Sequence, residues 1–414
     1  MNFDDTPEEA ALRRRVRAWI EANAPHELRD ELQNAPLFSL ELKSVDSITA
    51  AKAWQRKKYA AGWTCAHWPA AYGGRDASRL ERVIWAQEEG VYARLSQPFS
   101  IGVGMAGPTV MAYAAEAQKR ELLPKLASGE DIWCQLFSEP GAGSDVAGLS
   151  TRATRDGDGW RIHGQKVWTS WAHAADWGLL FARTDPSVPK HKGLTMFFID
   201  MRQTGVTVTP IRMMNDTRVF NEVYFDGAWV PDAQRLGAVG GGWQVSITTL
   251  MNERLGGGGL PTGFEQLFEL CCHLEGPDGV VADDPAVRSN LARWAATASG
   301  LRHTMNRSLT SLSRGQTPGP ENSVGKLAAA STLIAITQYA MDLLGEQGQL
   351  SRAADAHGGG WFQAMALRSP ALRIEAGSDE ILRNIIAERV LGMPGDIRVD
   401  KDVAYDAIPK HGRA

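Results

Sequence analysis

Two short segments of the sequence combine small, hydroxyl-bearing and aromatic residues in an order that suits a flat polar ligand. The first segment, residues 137–145, reads Phe-Ser-Glu-Pro-Gly-Ala-Gly-Ser-Asp, and its glycines let backbone amides approach a ligand closely. The second, residues 164–170, reads Gly-Gln-Lys-Val-Trp-Thr-Ser and sets one indole beside two hydroxyls. Together they offer hydrogen-bond donors and an aromatic face, which is suitable chemistry for binding a ring with polar edges.

The glycine pair of the first segment is not a dinucleotide-binding fingerprint. That motif needs a third glycine, a preceding strand and a following helix. Gly141 and Gly143 are instead followed by residues 151–154, Thr-Arg-Ala-Thr, which are typical of a strand. For the loop considered alone, an ordinary surface turn is an open alternative.

In this order the two segments resemble the acyl-CoA dehydrogenase family. Its loop usually reads Thr-Glu-Pro-Gly-Ala-Gly-Ser-Asp, and its flavin-stacking segment contains Trp-x-Thr or Trp-x-Ser. The resemblance implies FAD as cofactor and an acyl-CoA thioester as substrate, which is dehydrogenated to the trans-2-enoyl-CoA. A base takes the α-proton, the β-hydride passes to flavin N5, and an electron-transfer flavoprotein is the expected electron acceptor.

The catalytic base is where the sequence departs from the commonest pattern of that family. Most members have it in a loop reading Tyr-Glu-Gly-Thr-x-x-Ile, but here Ala376 stands at that position and Glu375 lies one residue early. A branched-chain-like subset has its base before an arginine on the first helix of the C-terminal bundle, where this chain has Glu253. Glu253 is therefore the predicted base. The alternatives are Glu375, or a Glu253 that is only paired or solvated.

The resemblance assigns the other site residues by their positions in the motifs. Some are expected at the flavin ring or its adenosine half, with the indole packed on the isoalloxazine, and others along the CoA thioester and pantetheine. A plain turn hydroxyl is an open alternative for Ser144 and Ser378. The expected flavin residues are Leu136, Ser138, Trp168, Ser170, Ser378 and Glu380, and the expected substrate residues are Ser144, Asn252 and Arg254.

Two further flavin motifs of the family are weak in this sequence. Arg-x-x-Phe-Gly is replaced by Asp-Pro-Ala-Val-Arg at residues 284–288, and Gln-x-x-Gly-Gly is represented at best by residues 357–360. In the family these segments reach the flavin across a subunit interface. A homodimer or homotetramer is expected, and the alternative is a hetero-oligomer in which this chain is a catalytically silent subunit. Some bacterial members with similar losses act on large substrates such as steroid-CoA esters. An oxidase that uses oxygen is a further alternative.

Glycines also suggest the size of the acyl pocket. The run at residues 101–107 resembles a helix that lines this pocket, and four glycines at residues 256–259 follow the predicted base. Missing side chains would widen any cavity there, so we expect a roomy or branched acyl pocket. Close helix packing is the alternative for both runs.

The hydrophobic periodicity predicts three blocks that would position these residues. Residues 1–130 follow helical spacing, starting from an N-cap at Thr6 and Pro7, with further amphipathic stretches near 48–61, 78–93 and 116–127. Residues 131–237 change to strands without intervening helices, with a hairpin signal at residues 156–159, which favours an antiparallel sheet. Residues 238–414 return to long amphipathic helices. The predicted fold is α+β, with an N-terminal all-α domain, a middle antiparallel β-barrel-like domain and a C-terminal four-helix bundle, the order of the acyl-CoA dehydrogenase fold.

The composition narrows the possible partners and location. The 414 residues include 44 basic and 48 acidic side chains, so the charge gives no reason to expect nucleic-acid binding. The four cysteines show neither CxxC nor metal spacing and are expected to be reduced thiols, with no metal site. We expect a cytoplasmic protein without a membrane span, since the acidic start has no signal core and no run of 18 apolar residues occurs.

Overall fold

The computed structural model describes residues 5–34, 40–256, 262–277, 279–313, 319–350, 354–397 and 399–409. The first helix begins as predicted. Thr6 Oγ1 accepts the Glu9 N–H and the Glu9 carboxylate accepts the Thr6 N–H, with Pro7 at the first helical position. The helices of the N-terminal block are α1 Pro7–Asn23, α2 Arg29–Asn34, α3 Ser47–Ala60, α4 Arg79–Glu88, α5 Gly107–Tyr113 and α6 Glu116–Ser128.

The stretch near 78–93 is helical over a shorter range than predicted. Helix α4 ends at Glu88, and the next residue, Glu89, is buried, where its carboxylate accepts the indole N–H groups of Trp54 and Trp85 at 2.9 and 3.0 Å. Gly90 then adopts a left-handed φ of 58°, and the chain continues as a 3₁₀ helix, Gly90–Phe99.

The glycine run at residues 101–107 includes one turn of π-helix, Gly102–Ala106, which leads directly into α5. Gly107 packs tightly, since a Cβ built there would lie 2.4 Å from Trp68 Cη2. By contrast, no described residue lies within 4 Å of a Cβ built on Gly104, in the π-helical turn.

Eight strands form one sheet in the order β6-β7-β3-β2-β4-β5-β8, with β1 beside β4. Five pairings are antiparallel, as predicted, whereas β1 and β2 each pair parallel to β4. The predicted hairpin is present, with Asp156 opposite Gly159 and Gly157 at φ 59°. The strands are β1 Trp133–Leu136, β2 Arg152–Asp156, β3 Gly159–Ser170, β4 Trp177–Arg183, β5 Leu194–Asp200, β6 Val206–Pro210, β7 Phe220–Pro231 and β8 Arg235–Leu236.

The C-terminal block is helical, with α10 at the centre of its core. Helix α10 packs against α8, α9, α11 and α12, whereas α7 packs against α5 and β5. The buried side chains of this core include Leu267, Trp294, Leu333, Ile336 and Met365. The elements are α7 Gly242–Gly256, α8 Phe264–His273, the hairpin strands β9 Glu275–Gly276 and β10 Gly279–Val280, α9 Pro285–Ser313, α10 Ser323–Leu344, α11 Trp361–Arg368 and α12 Asp379–Arg389.

One segment, Pro320–Gln349, is long and apolar enough to cross a bilayer by length and hydropathy alone, with a mean hydropathy of 1.4. It contains α10, which four other helices contact. Of the apolar window in this segment, 39% is buried. A core helix of a helical bundle passes the same test of length and hydropathy, so one such segment is weak evidence for a membrane span.

Candidate active site

A buried ion pair joins the two segments that the sequence singles out. Lys166, on β3, has no exposed surface, and its Nζ donates to Glu139 Oε1 at 2.9 Å and to the Phe137 carbonyl at 3.0 Å. The same carboxylate accepts the N–H groups of Ser150 and Thr151 at 2.6 and 2.9 Å. The glycine-containing loop is therefore fixed to the strand that leads to the indole.

The charges of this pair are set by its surroundings. Burial alone would raise the pKa of Glu139, but Lys166 and the hydrogen bonds from Thr151 and Ser150 lower that pKa to about 2. Burial lowers the pKa of Lys166 to about 8, although the Glu139 carboxylate opposes that fall. Both side chains are therefore charged at pH 7, and the link between loop and strand is ionic.

The sequence interpretation did not identify this pair, but a signal for it exists. Trp160 and Ile162 point into the core from β3, and a period of two continues that inward face to Lys166. A fully buried lysine needs an acidic partner. Glu139 is the acid of the neighbouring motif, so alternation along β3 could have indicated the contact.

Trp168 lies at the surface at the end of this strand. Its backbone adopts a left-handed φ of 59°, which interrupts the pairing of β3 with β7, and the residue is 58% exposed. The indole meets Phe220 edge-on at 6.0 Å, and Ser170 lies opposite Phe220 in the sheet. Thr169 Oγ1, between them, is buried with no hydrogen-bond partner among the residues that the structure describes. A broad indole face is therefore available beside polar groups.

The loop next to Trp168 is open toward solvent. Among the residues that the structure describes, none lies within 4 Å of a Cβ built on Gly141 or Gly143, and Ser144 is exposed. The Val167 N–H donates to the Ser138 carbonyl at 2.9 Å, which brings Ser138 next to the indole strand. The Leu136 side chain is fully buried, so only its backbone can reach a ligand.

These features fit an aromatic cofactor ring of the flavin type. The exposed indole, the unfilled space beside the two loop glycines and the unpartnered Thr169 hydroxyl suit a flat ring with polar edges. Ser138 and Ser170 would hold such a ring from the loop side and the strand side.

The C-terminal loop approaches the same surface. The Arg368 guanidinium lies over the Phe220 ring at 5.8 Å, and its Nη2 donates to both oxygens of Glu375, at 2.8 and 2.9 Å. Glu375 is thus bound to a nearly buried arginine. The next residue, Ala376, occupies the usual position of the family's base with a left-handed φ of 52° and offers no carboxylate.

Ser378 and Glu380 begin the last helix. Ser378 Oγ accepts the Ile381 N–H at 3.4 Å, so the hydroxyl caps the N-terminus of α12. This local backbone contact is the alternative role that the sequence analysis left open for Ser378. Glu380 is exposed in the first helical turn. Lys326 Nζ donates to the Gly377 carbonyl at 2.6 Å, which ties this loop to α10.

Hydroxyl contacts fix helix α7, which includes the predicted base. Thr249 Oγ1 lies 2.9 Å from Thr109 Oγ1 of α5, and Thr248 Oγ1 lies 3.0 Å from the Tyr113 hydroxyl. Asn252 Nδ2 donates to the Thr248 carbonyl at 2.8 Å within the helix. Within the described part of the chain, no contact joins Asn252 to the Trp168 surface.

Two predicted residues of α7, Glu253 and Arg254, have a helical backbone, but their side chains lie outside the described part of the structure. The glycine run at 257–259 also lies outside the described residues. Glu253 is one helical turn after Thr249, so the contact of Thr249 with α5 sets where its backbone lies.

In the described ranges, no group of three or more His, Cys, Asp or Glu residues is arranged to hold a metal ion. All four cysteines are free, and Cys65, Cys134 and Cys271 are buried.

Comparison with known proteins gives consistent matches along the chain. Family models for the N-terminal, middle and C-terminal domains of acyl-CoA dehydrogenase match residues 6–130, 134–228 and 240–391. The chain is 37% identical to acyl-CoA dehydrogenase IpdE1 of Mycobacterium tuberculosis over 397 residues, which cover 94% of this chain and 98% of that protein. It is 36% identical to acyl-CoA dehydrogenase FadE34 of the same species over 92% of this chain, and spans only 52% of FadE34's length.

Solved structures show the same fold. The structure titled Tcur3481-Tcur3483 steroid ACAD matches with a TM-score of 0.80 at 27% identity, over 96% of this chain and all of that one. The ChsE4-ChsE5 complex from Mycobacterium tuberculosis matches with a TM-score of 0.80 at 28% identity over the same shares. Three consecutive domain matches and a full-length relative at 37% identity establish that this chain belongs to the acyl-CoA dehydrogenase family.

Proposed function

We propose that this chain dehydrogenates the Cα–Cβ bond of an acyl-CoA thioester, with Glu253 as the base that removes the α-proton. Membership of the family makes the protein a flavoprotein oxidoreductase with FAD as its cofactor. The observation that supports the reaction best is the exposed Trp168 indole, which the buried Lys166–Glu139 pair fixes beside an open glycine loop. FAD, when bound, supplies the acceptor for the hydride that leaves Cβ.

The choice of Glu253 is supported by the residues at positions 375 and 376, where most members of the family have their base. Ala376 has no proton-accepting side chain, and both oxygens of Glu375 accept from Arg368. Arg368 therefore holds the Glu375 carboxylate in place through both of its oxygens. Glu253 is then the candidate that remains, on a helix held by Thr109 and Tyr113.

The other proposed roles concern binding. Ser138 and Ser170 would contact the flavin ring beside Trp168, and the backbone of Leu136 would support the same edge. Ser144, Asn252 and Arg254 would hold the thioester and pantetheine part of the substrate, which fixes Cα for proton removal. Ser378 and Glu380 would lie near the adenosine half of the flavin, in addition to their roles at the start of α12.

We propose a bulky acyl group as the substrate class. Gly104 lies on the helix that the resemblance assigns to the acyl pocket, and no described residue lies within 4 Å of a Cβ built there, which supports a wide pocket. A relative of the same fold is titled as a steroid enzyme, which makes a steroid-derived acyl-CoA the first compound to test.

A second candidate function is a catalytically silent subunit that shares a flavin site with another chain. The weak family motifs at residues 284–288 and 357–360 support it, because those segments would contact flavin across an interface. Relatives that match in fold include subunits of such paired complexes. An electron-transfer flavoprotein as acceptor and a cytoplasmic location are proposed as well, the latter supported by four free thiols.

The test is the absorbance spectrum of the protein purified alone, followed by anaerobic addition of linear, branched and steroid-derived acyl-CoAs. The proposal predicts bound yellow flavin that bleaches, most rapidly with a bulky substrate. Flavin that is retained but bleaches with none of the compounds would contradict the proposed activity. A colourless chain that gains flavin only beside a second protein would favour the silent-subunit function. Rapid reoxidation by air would indicate an oxidase.

A further inference from the structure

The chain continues beyond the family's C-terminal domain match, which ends at residue 391, and returns to the middle domain. Residues 399–409 are called the C-terminal strap below. The Tyr405 N–H donates to the Val188 carbonyl at 3.0 Å, and the Asp406 N–H donates to the Pro186 carbonyl at 3.0 Å. Ala404 forms an isolated antiparallel bridge with Pro189. The strap therefore lies along the β4–β5 connection.

Arg183 connects the strap to the loop that follows Ser144. This arginine is 3% exposed, and it donates from Nε to the Leu149 carbonyl at 3.1 Å and from Nη2 to the Ala147 carbonyl at 2.6 Å. The Tyr405 ring lies 3.4 Å from its guanidinium carbon, and the Tyr405 hydroxyl donates to the Gly148 carbonyl at 3.3 Å. Three consecutive carbonyls of the loop are thus bound by one arginine and one strap residue.

Lys190 makes a second connection beside the first. Its Nζ lies 2.9 Å from Asp145 Oδ2 and 2.6 Å from Asp400 Oδ2, and the lysine side chain is 12% exposed. Asp145 directly follows Ser144, so the lysine bridges the proposed substrate loop and the strap. The contact with Lys190 also holds the pKa of Asp400 below its usual range.

We propose that Asp400 and Tyr405 are positioning residues, which hold the loop at residues 144–149 in the conformation that binds the thioester end of the substrate. The substrate role of Ser144 rests on the function proposed above, whereas the link between strap and loop does not. A loop ordered in advance loses less conformational entropy when the ligand binds. Releasing the strap should therefore weaken substrate binding and leave the chemical step nearly unchanged.

The variants Asp400→Asn and Tyr405→Leu test this, with Asp402→Asn as the matched control because Asp402 is an exposed acid on the same strap. Hydrogen exchange of the amides at residues 141–149 reports the order of the loop without needing activity. We expect faster exchange in both test variants, and a KM for acyl-CoA raised about threefold to tenfold, with kcat changed by less than about twofold. Tyr405→Phe keeps the ring on Arg183 and should lie between wild type and Tyr405→Leu.

Unchanged loop exchange in Asp400→Asn and Tyr405→Phe would overturn the proposal, as would faster exchange accompanied by an unchanged KM. An equal effect of Asp402→Asn would show a general electrostatic effect instead and also overturn it. If no acyl-CoA bleaches the wild-type flavin, the proposed function fails, and the exchange result still decides whether the strap orders the loop. If Tyr405→Leu does not fold, loop exchange in Asp400→Asn alone still decides whether the strap orders the loop.

Discussion

At the scale of single residues, Glu139 has the most constrained position in the candidate site. Its two oxygens accept the Lys166 ammonium, the N–H groups of Ser150 and Thr151 and the Ser150 hydroxyl. A neutral amide offers a single acceptor oxygen and could not accept all four donors. The loop conformation beside Trp168 therefore depends on a carboxylate at this position.

Replacing Glu139 with glutamine should destabilise the fold. Lys166 would remain buried without a charged partner, which costs roughly 3–5 kcal/mol in the free energy of unfolding. Urea denaturation followed by far-UV circular dichroism measures this loss. The double variant Glu139→Gln/Lys166→Met removes both charges and should recover part of it. A single variant as stable as wild type would show that the ion pair does not fix the loop.

The same pair predicts acid sensitivity. The folded pKa of Glu139, about 2, lies below the ordinary glutamate value of 4.5, so its contribution is complete above pH 4.5 and is lost as the pH falls through that window toward 2. The shift corresponds to roughly 3 kcal/mol of stability. Unfolding free energies measured at several pH values should fall across this range in wild type and less steeply in Glu139→Gln. Parallel curves for the two proteins would contradict the assignment.

Residue types and motif order were sufficient to select Trp168 and the loop beside it. They do not by themselves show that Glu139 and Lys166 are paired, and the sequence signal for that contact is the alternation of buried residues along β3. The sequence kept Glu375 as an alternative base, one residue before the family's usual position. The structure adds an observation that the sequence could not give, which is the pairing of its carboxylate with Arg368.

At the scale of elements, helix positions followed from hydrophobic spacing and capping residues. The stretches predicted near 48–61 and 116–127 are Ser47–Ala60 and Glu116–Ser128 in the structure. The π-helical turn at Gly102–Ala106 was not predicted, since an inserted residue leaves the local apolar composition unchanged. The parallel pairing of β1 with β4 was missed as well, because β2 and β3 separate these strands in the sequence.

A pair of glycine variants tests the packing of that π-helical segment. Gly107→Ala would place a Cβ 2.4 Å from Trp68 Cη2 and should cost about 1–3 kcal/mol of stability, since both groups are buried. Gly104→Ala meets no described residue within 4 Å and should be neutral or stabilise by up to about 1 kcal/mol, because alanine favours helix. Thermal unfolding compares the two. Equal effects would mean that Trp68 does not limit the approach of this helix.

At the scale of the whole molecule, the order of helical, sheet and helical blocks was predicted and is confirmed. The boundaries at 130/131 and 237/238 stay predictions. The return of the strap to the middle domain was not foreseen, because residues 392–409 have no amphipathic period that indicates a partner. The contact depends on Arg183 and Lys190, which lie far away in the sequence.

Exposed apolar side chains predict that the protein forms oligomers. In the segment after α12 two residues are almost fully exposed, Ile397 at 93% and Val399 at 88%, and Leu391 is 68% exposed. If these side chains form one apolar patch, another chain is expected to cover it. Sedimentation should give a mass that is a multiple of 45.1 kDa, or a larger complex with a second protein. A flavin-saturated monomer would contradict this expectation.

The most direct test of the account compares flavin bleaching by an acyl-CoA in wild type, Glu253→Gln and Glu375→Gln under anaerobic conditions. If Glu253 is the base, Glu253→Gln should keep its flavin but bleach about 100- to 10,000-fold more slowly. Glu375→Gln should still bleach, since its carboxylate is engaged by Arg368. Bleaching at the wild-type rate in Glu253→Gln, together with its loss in Glu375→Gln, would contradict the assignment of the base.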